Sequence, residues 1–154
     1  MLNIVLFQPE IPQNTGNIVR TCVLTGSKLH LIKPLGFEIS DKQIRRTGLD
    51  YWQDLDLEIH ESYEDFKAKY PDAVIYAVTT KGTAYYDEIG FRDNDFLMFG
   101  QESSGLPEAI RTDLNQRLIR IPMVKTSERS LNLSNAVAII TYKALADMGF
   151  PNMK

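Results

Sequence analysis

The feature that most constrains the fold is an alternation of short apolar runs with longer amphipathic segments along the 154 residues. Runs of β-branched and aromatic residues bounded by turn residues predict buried strands. These runs are 2–7, 29–32, 73–79, 96–99 and 118–121. Apolar residues at helical spacing, with capping and breaking residues at the ends, predict helices. These are 17–25, a short basic segment at 41–47, a segment from the capping box at 62–65 to Pro71, then 107–114 and 133–148.

Strands that alternate with helices predict an α/β fold, in which a mostly parallel sheet is flanked by helices. The length fits one domain that spans residues 1–154. Ligands of such sheets bind outside the carboxyl ends of the strands. We therefore expect a functional site where polar and glycine-rich segments follow strands.

Composition restricts the compartment and the partners. Cys22 is the single cysteine, which favours a reducing compartment and a packing role for the thiol. No apolar stretch approaches the roughly 20 residues that a membrane helix needs, and the N-terminal run lacks a basic leader. We therefore expect a cytoplasmic protein with no membrane contact.

The charge distribution leaves two interpretations open. The net charge of −3 is not that of a generic nucleic-acid binder. Residues 20–46, however, carry six basic and two acidic side chains, whereas 50–72 carry two basic and eight acidic ones. One part of the surface could face phosphate, or the whole could be an ordinary solvated mixture.

The first polar segment, 14–20, joins the first strand to its helix. Gly16 would permit a tight turn, and Asn14 or Asn17 could cap the helix. Arg20 would then lie about one turn into the helix, near the strand ends. A capped helix with a surface arginine is the alternative.

The second segment, 96–107, combines a strand with two glycines. Gly100 would let a ligand approach the backbone, and Gly105 gives a second turn. Between them, the carboxylate of Glu102 could accept hydrogen bonds from hydroxyls or amides. The spacing is neither a dinucleotide fingerprint nor a P-loop, and an ordinary strand–turn–helix connection is the alternative.

The third segment, 121–136, carries more small polar residues than one helix cap requires. Ser130, Asn132, Ser134 and Asn135 could bond to backbone, to a ligand or to a second subunit. The alternative is an elaborate cap for the last helix.

Taken together and in order, these segments resemble the three motifs of the SPOUT methyltransferases, specifically the SpoU branch. The residues that carry the resemblance are Asn14, Gly16 and Arg20, then Gly100, Glu102 and Gly105-Leu106-Pro107, then Ser130-Leu131-Asn132-Leu133-Ser134-Asn135-Ala136. Segments 9–12, 45–51 and 80–82 match as well. The chain is most similar to the minimal subgroup that acts on the wobble nucleotide of tRNA and carries no separate RNA-binding domain.

The resemblance implies a fold, a reaction and partners. The fold would include a C-terminal trefoil knot, and the protein would be a homodimer whose active site is shared across subunits. S-adenosyl-L-methionine would be the cofactor, S-adenosyl-L-homocysteine the product, and no metal would take part. The substrate would be the anticodon stem-loop of tRNA, methylated on the ribose 2′-hydroxyl of nucleotide 34. That nucleotide would be cytidine or cmnm5-uridine, with leucine tRNAs as the leading expectation.

The resemblance also implies which residues act. The cofactor-binding residues would be Val78, Thr79, Gly100, Glu102, Ile121, Met123, Ser130 and Leu131. The catalytic residues would be Arg20, Asn14, Asn17 and Tyr142. Arg20 would hold a phosphate or stabilise charge on the reacting oxygen, because an arginine stays protonated and is a poor base. Asn14 and Asn17 would fix the segment around Arg20, and Tyr142 would face the substrate, although its position alone suits a core or interface aromatic.

The remaining candidates point to packing. His30 and His60 are distant in sequence and predict no metal site. Tyr51 and Trp52 suit a hydrophobic contact better than base stacking. The alternative functions are 2′-O-methylation at another tRNA site or in rRNA, and a non-catalytic knotted module that binds S-adenosylmethionine or RNA. A Rossmann oxidoreductase does not fit, because no glycine-rich dinucleotide loop follows the first strand.

Overall fold

The structure, a computed structural model, describes residues 1–40, 42, 46 and 50–154. Its sheet has seven strands in the order β3-β2-β1-β6-β4-β7-β5, and every neighbouring pair is parallel. The strands are β1 (Asn3–Phe7), β2 (Lys28–Ile32), β3 (Leu57–His60), β4 (Ile75–Val78), β5 (Ala84–Tyr85), β6 (Phe96–Phe99) and β7 (Leu118–Arg120). The predicted α/β fold with a parallel sheet is confirmed.

Four helices and three short 3-10 turns connect these strands within the described part of the chain. The helices are α1 (Pro12–Thr25), α2 (Tyr63–Lys69), α3 (Glu108–Asp113) and α4 (Leu133–Asp147), and the 3-10 turns are Trp52–Asp54, Tyr86–Glu88 and Asn115–Arg117. None of the helices that the structure describes is long and apolar enough to cross a membrane.

The helices cover both faces of the sheet, because the central strands are apolar on both sides. In β1, Ile4 and Leu6 belong to the core cluster that contains the buried residues of α1 and α4. Val5 and Phe7 belong to the other cluster, which contains the buried residues of α2 and α3. Successive side chains of a strand point to opposite faces, so a continuous apolar run is what a doubly covered parallel strand requires.

Helix α1 begins earlier than predicted, which corrects three expectations for its first residues. Pro12 is the first helical residue and Ile11 the N-cap, without a side-chain cap. A proline suits this position because its fixed φ and missing N–H cost the helix nothing there. Asn14, Gly16 and Asn17 therefore lie inside the helix, and their predicted roles as caps or turn are wrong.

Most other predicted boundaries hold within one or two residues. The Oγ of Ser62 accepts a hydrogen bond from the Asp65 N–H at 3.0 Å, which confirms the N-cap of α2. Gly26, at φ 64°, ends α1 as predicted. Two edge strands were not predicted: β3, which is partly exposed, and β5, which has only two residues. Apart from Lys42 and Arg46, the residues of the helix predicted over 41–47 and the turn at Gly48 lie outside the described residues.

Candidate active site

A cavity of about 520 Å³ opens at the carboxyl ends of β4, β6 and β7, which are neighbours in the sheet around β4. All eight residues predicted to bind the cofactor line it: Val78, Thr79, Gly100, Glu102, Ile121, Met123, Ser130 and Leu131. Asn14 lines it as well. The structure therefore brings the second and third motifs together, with the beginning of α1 beside them.

The glycines of the second motif shape one wall of this cavity. A Cβ atom on Gly100 would lie 2.2 Å from the carbonyl carbon of Gly105 and 2.3 Å from the nitrogen of Leu106. Gln101 and Gly105 exchange two backbone hydrogen bonds of 3.2 and 2.9 Å, and Gly105 has a φ of 69°. On the side where a Cβ would stand, the chain itself approaches Gly100 closely, and the approach of a ligand to its backbone stays a prediction.

Two carboxylates join this wall to the segment before α1. Glu102 accepts hydrogen bonds from the backbone N–H groups of Glu10 at 2.8 Å and Ile11 at 3.0 Å. Glu10 in turn accepts from the N–H and the hydroxyl of Ser103, and these hydrogen bonds lower the pKa of Glu10. The prediction that Glu102 accepts from amides is confirmed. Glu10 and Ser103 were missed, because a partnership across 93 residues leaves no local sequence signal.

The third motif caps α4 and ties it to α1. The side-chain oxygen of Asn132 accepts hydrogen bonds from the N–H of Ser134 at 2.9 Å and of Asn135 at 3.4 Å. Its amide nitrogen donates to the side-chain oxygen of Asn14 at 3.0 Å. Asn132 and Ser134 thus form the elaborate helix cap that was the alternative interpretation of this segment. The buried Asn14 is a bridge between two helices at the edge of the cavity.

The other three predicted catalytic residues are not among the described residues that line the cavity. Arg20 follows Pro12 by eight residues, more than two turns rather than one, and its side chain is exposed. Its guanidinium carbon lies 4.9 Å from the centre of the Tyr51 ring, a cation–π contact. Asn17 is exposed on α1, and Tyr142 is 45% exposed on α4.

The structure corrects the expectation that His30 and His60 are far apart. β2 and β3 are paired, and the Nδ1 of His30 lies 3.0 Å from the Nε2 of His60. Burial, together with the neighbouring His60, lowers the pKa of His30 to about 3, and burial also lowers the pKa of His60. The other ring nitrogen of His30, Nε2, is 3.0 Å from the side-chain oxygen of Asn3.

This histidine pair and Glu58 could hold a metal on distance alone, because their ligand atoms lie within 4.8 Å of one another. The charges oppose it. Lys28 and Lys69 both pair with the Glu58 carboxylate, and Tyr70 donates to it. Although burial opposes it, these hydrogen bonds lower the pKa of Glu58 to about 2. Two ammonium groups already compensate the one carboxylate, so the cluster offers a cation no net attraction. The absence of a metal from the reaction stays a prediction.

Comparison with known proteins decides the family. The family model described as "SpoU rRNA Methylase family" matches residues 1–142. The chain belongs to this family. Among SpoU relatives, it is 49% identical to a protein of Yersinia pestis named tRNA (cytidine(34)-2'-O)-methyltransferase, with 98% of this chain and 96% of that one covered. A protein of the same name from Escherichia coli K12 is 48% identical over the same shares.

Solved SpoU structures agree with the fold. One described as "Structural insights into the 2-OH methylation of C/U34 on tRNA" has a TM-score of 0.92 at 44% identity and covers 97% of both chains. The SpoU methyltransferase AviRb from Streptomyces viridochromogenes, in complex with AdoMet, has a TM-score of 0.81 at 26% identity. That match covers 96% of this chain and 60% of AviRb. The trefoil knot implied by the family stays a prediction.

Proposed function

We propose that this protein transfers a methyl group from S-adenosyl-L-methionine to the ribose 2′-hydroxyl of nucleotide 34 in tRNA. The observation that carries the proposal is the meeting of the second and third motifs around one cavity at the strand ends. The names of relatives that match nearly the whole chain at 48–49% identity support the choice of tRNA and of the wobble nucleotide.

The cavity fits the cofactor. Its volume of about 520 Å³ lies within the range of about 300–1,000 Å³ that small-molecule sites occupy. Val78, Ile121, Met123 and Leu131 would offer apolar contact to an adenine, while Thr79, Gly100 and Ser130 would offer polar and backbone groups. When bound, S-adenosylmethionine supplies a methyl carbon on a sulfonium, whose sulfur leaves as a neutral thioether. The structure of AviRb with AdoMet supports this assignment, and S-adenosyl-L-homocysteine would be the product.

Arg20 would supply the positive charge that the reaction needs. A ribose hydroxyl is a weak acid, so a fixed cation beside it favours the alkoxide-like transition state. An arginine also holds phosphate by paired N–H donors. Tyr51 would keep the guanidinium in place through its ring face. Neither role asks Arg20 to accept a proton, and the hydroxyl proton would leave to water.

The position of Arg20 outside the cavity supports an active site shared by two subunits. Helices α1 and α4 pack together and present large exposed side chains, among them Leu24, Ile139 and Tyr142. A symmetric pairing over such a surface would bury them. Arg20 and Asn17 of one subunit would then face the cavity of the other, and Tyr142 would lie at the interface near the substrate.

The substrate would be the anticodon stem-loop, with cytidine or cmnm5-uridine at position 34 and leucine tRNAs as the first to test. A cytoplasmic location follows from the same proposal, since tRNA is modified there in bacteria such as those that hold the named relatives.

The test is Arg20→Ala, measured in two assays. We expect methyl transfer to tRNA to fall at least about 100-fold. Calorimetric affinity for S-adenosylhomocysteine should change less than about twofold, because the proposed roles of Arg20 act on the substrate and not on the cofactor. If the unsubstituted protein methylates rRNA and not tRNA, the substrate is rRNA. Cofactor binding without transfer to any RNA would favour a non-catalytic binding module.

Mixing two inactive variants tests the shared site. Leu131→Glu places a carboxylate at the cavity while leaving Arg20 intact. In mixed dimers, one of the two sites would hold a native arginine and a native cavity, so an equal mixture should recover about one quarter of the parent activity. A mixture that stays inactive, although both variants fold and dimerise, would place each active site within one chain.

A further inference from the structure

The two glutamates that face each other across the rim of the cavity use their oxygens differently. Glu102 uses both: Oε2 accepts from the N–H of Glu10, and Oε1 accepts from the N–H of Ile11. Within the described part of the chain, Glu10 uses one: its Oε1 accepts from both the N–H and the hydroxyl of Ser103, at 2.9 and 2.7 Å. The four hydrogen bonds join the segment before α1 to the loop between Gly100 and Gly105.

Glu10 is held from its other side as well. The N–H of Gly36 donates to the carbonyl of Pro9 at 2.9 Å. A Cβ atom on Gly36 would lie 2.7 Å from the carbonyl oxygen of Glu10. The backbone of Glu10 therefore lies against a second loop. This contact limits how far Glu10 can move away from Ser103.

The two joined segments carry different parts of the proposed site. The loop of Glu102 and Ser103 forms a wall of the cavity. Glu10 and Ile11 lead directly into α1, which carries Asn14 and Arg20. The four hydrogen bonds thus fix where α1 begins relative to the wall of the cofactor cavity.

We propose that Glu10 is a positioning residue for methyl transfer: with Glu102 it couples the cofactor loop to the helix that carries Arg20. Glu10 is not among the described residues that line the cavity. It acts through Ser103, whose position it fixes, and so through the shape of the cavity. The proposal rests on the proposed function and adds to it a residue that the three motifs do not contain.

The different use of oxygens makes the proposal testable at the level of single atoms. Glu10→Gln retains a carbonyl oxygen that can accept from both donors of Ser103. Glu102→Gln replaces one acceptor with an NH2 group, which would face a backbone N–H. Glutamine should therefore replace glutamate at position 10 but not at position 102, although the change in charge is the same.

The experiment compares Glu10→Gln, Glu10→Ala and Glu102→Gln with the full-length parent. The matched control is Glu61→Ala, which removes an exposed carboxylate paired with Lys33 on the surface. The readouts are calorimetric affinity for S-adenosylhomocysteine, kcat and KM for methyl transfer to tRNA, and urea denaturation to verify folding.

We expect Glu10→Gln and Glu61→Ala to stay within about twofold of the parent in cofactor affinity and kcat. Glu10→Ala and Glu102→Gln should each weaken cofactor binding about tenfold or more, the loss that one or two hydrogen bonds produce. kcat should fall further for Glu102→Gln than for Glu10→Ala, because the two hydrogen bonds of Glu102 fix the residues that precede α1. Glutamine should thus preserve cofactor affinity and kcat at position 10 but not at position 102. A general loss of stability would not produce this difference.

Glu10→Gln as impaired as Glu10→Ala would overturn the proposal, because the charge rather than the acceptor would then matter. Glu10→Ala with parental affinity and kcat would overturn it as well. Failure of the proposed function looks different: the parent would bind S-adenosylhomocysteine and methylate no tRNA, while the calorimetric comparison of the variants would still decide the role of Glu10.

Discussion

Gly100→Ala is the substitution whose effect the structure defines best. The added Cβ would lie 2.2 Å from the carbonyl carbon of Gly105, 2.3 Å from the nitrogen of Leu106 and 2.6 Å from the Cα of Gly105. Ordinary van der Waals contact begins near 3.4 Å. All three atoms belong to the backbone, so rotation of a side chain cannot relieve the clash. The segment of Gly105 and Leu106 must therefore move by about 1 Å.

The cost of that movement can be bounded. Overpacking of a tight contact costs about 1–3 kcal/mol. The two backbone hydrogen bonds between Gln101 and Gly105 would be strained, and each contributes about 0.5–1.5 kcal/mol. We expect the free energy of unfolding to fall by about 3 kcal/mol. Since the moving loop is a wall of the cavity, affinity for S-adenosylhomocysteine should fall at least about tenfold.

The measurements are urea denaturation and calorimetry, with Gly90→Ala as the matched control. A Cβ on Gly90 meets nothing within 4 Å, so the change in unfolding free energy should stay below about 0.5 kcal/mol. A Gly100→Ala variant that matches Gly90→Ala in both stability and cofactor affinity would refute the reasoning, since it would show that the loop can shift without consequence.

Three further outcomes are expected. In the folded chain, the pKa of His30 is lowered to about 3, and burial lowers that of His60 as well. When the pH falls below the ordinary histidine pKa of about 6.5, the unfolded chain therefore binds protons at these residues and the folded chain does not. Stability measured by urea denaturation should therefore be complete near pH 7.5 and fall by at least about 1.4 kcal/mol at pH 5.5; a flat profile between these values would contradict the buried neutral pair. Tyr51→Ala should lower kcat for tRNA methylation without changing cofactor affinity, whereas Tyr51→Phe retains the ring over which Arg20 lies and should retain kcat; equal losses in both variants would rule out the cation–π contact. Asn132→Ala removes the cap of α4 and should lower the free energy of unfolding by about 1–2 kcal/mol in urea denaturation. A loss below about 0.3 kcal/mol would show that the cap does not stabilise α4.

The strands and helices that the sequence predicted are those whose local pattern determines them. β6 is four buried residues between turn residues, and its predicted and observed limits agree. The two missed strands lie toward the sheet edges, where half-exposed residues such as Glu58 break the apolar run. Edge strands need less apolar surface, so their pattern is weaker.

The beginning of α1 could not be predicted locally because its N-cap, Ile11, has no capping side chain. Its N–H is bound instead by Glu102, which lies 91 residues further along the chain and so leaves no local sequence signal. The contact between His30 and His60 could not be predicted either, because it depends on the register of β2 with β3. The residues of the cavity came from the resemblance of the motifs, since periodicity places strands but does not say which strand ends share a ligand.

The central claim is methyl transfer to the wobble ribose, and one measurement tests it directly. The protein is incubated with labelled S-adenosylmethionine and total tRNA that lacks wobble 2′-O-methylation, and the products are identified by nucleoside mass spectrometry. We expect 2′-O-methylated cytidine or cmnm5-uridine at position 34, formed by the parent and lost in Arg20→Ala. No methylation of any tRNA by a protein that binds S-adenosylhomocysteine would contradict it.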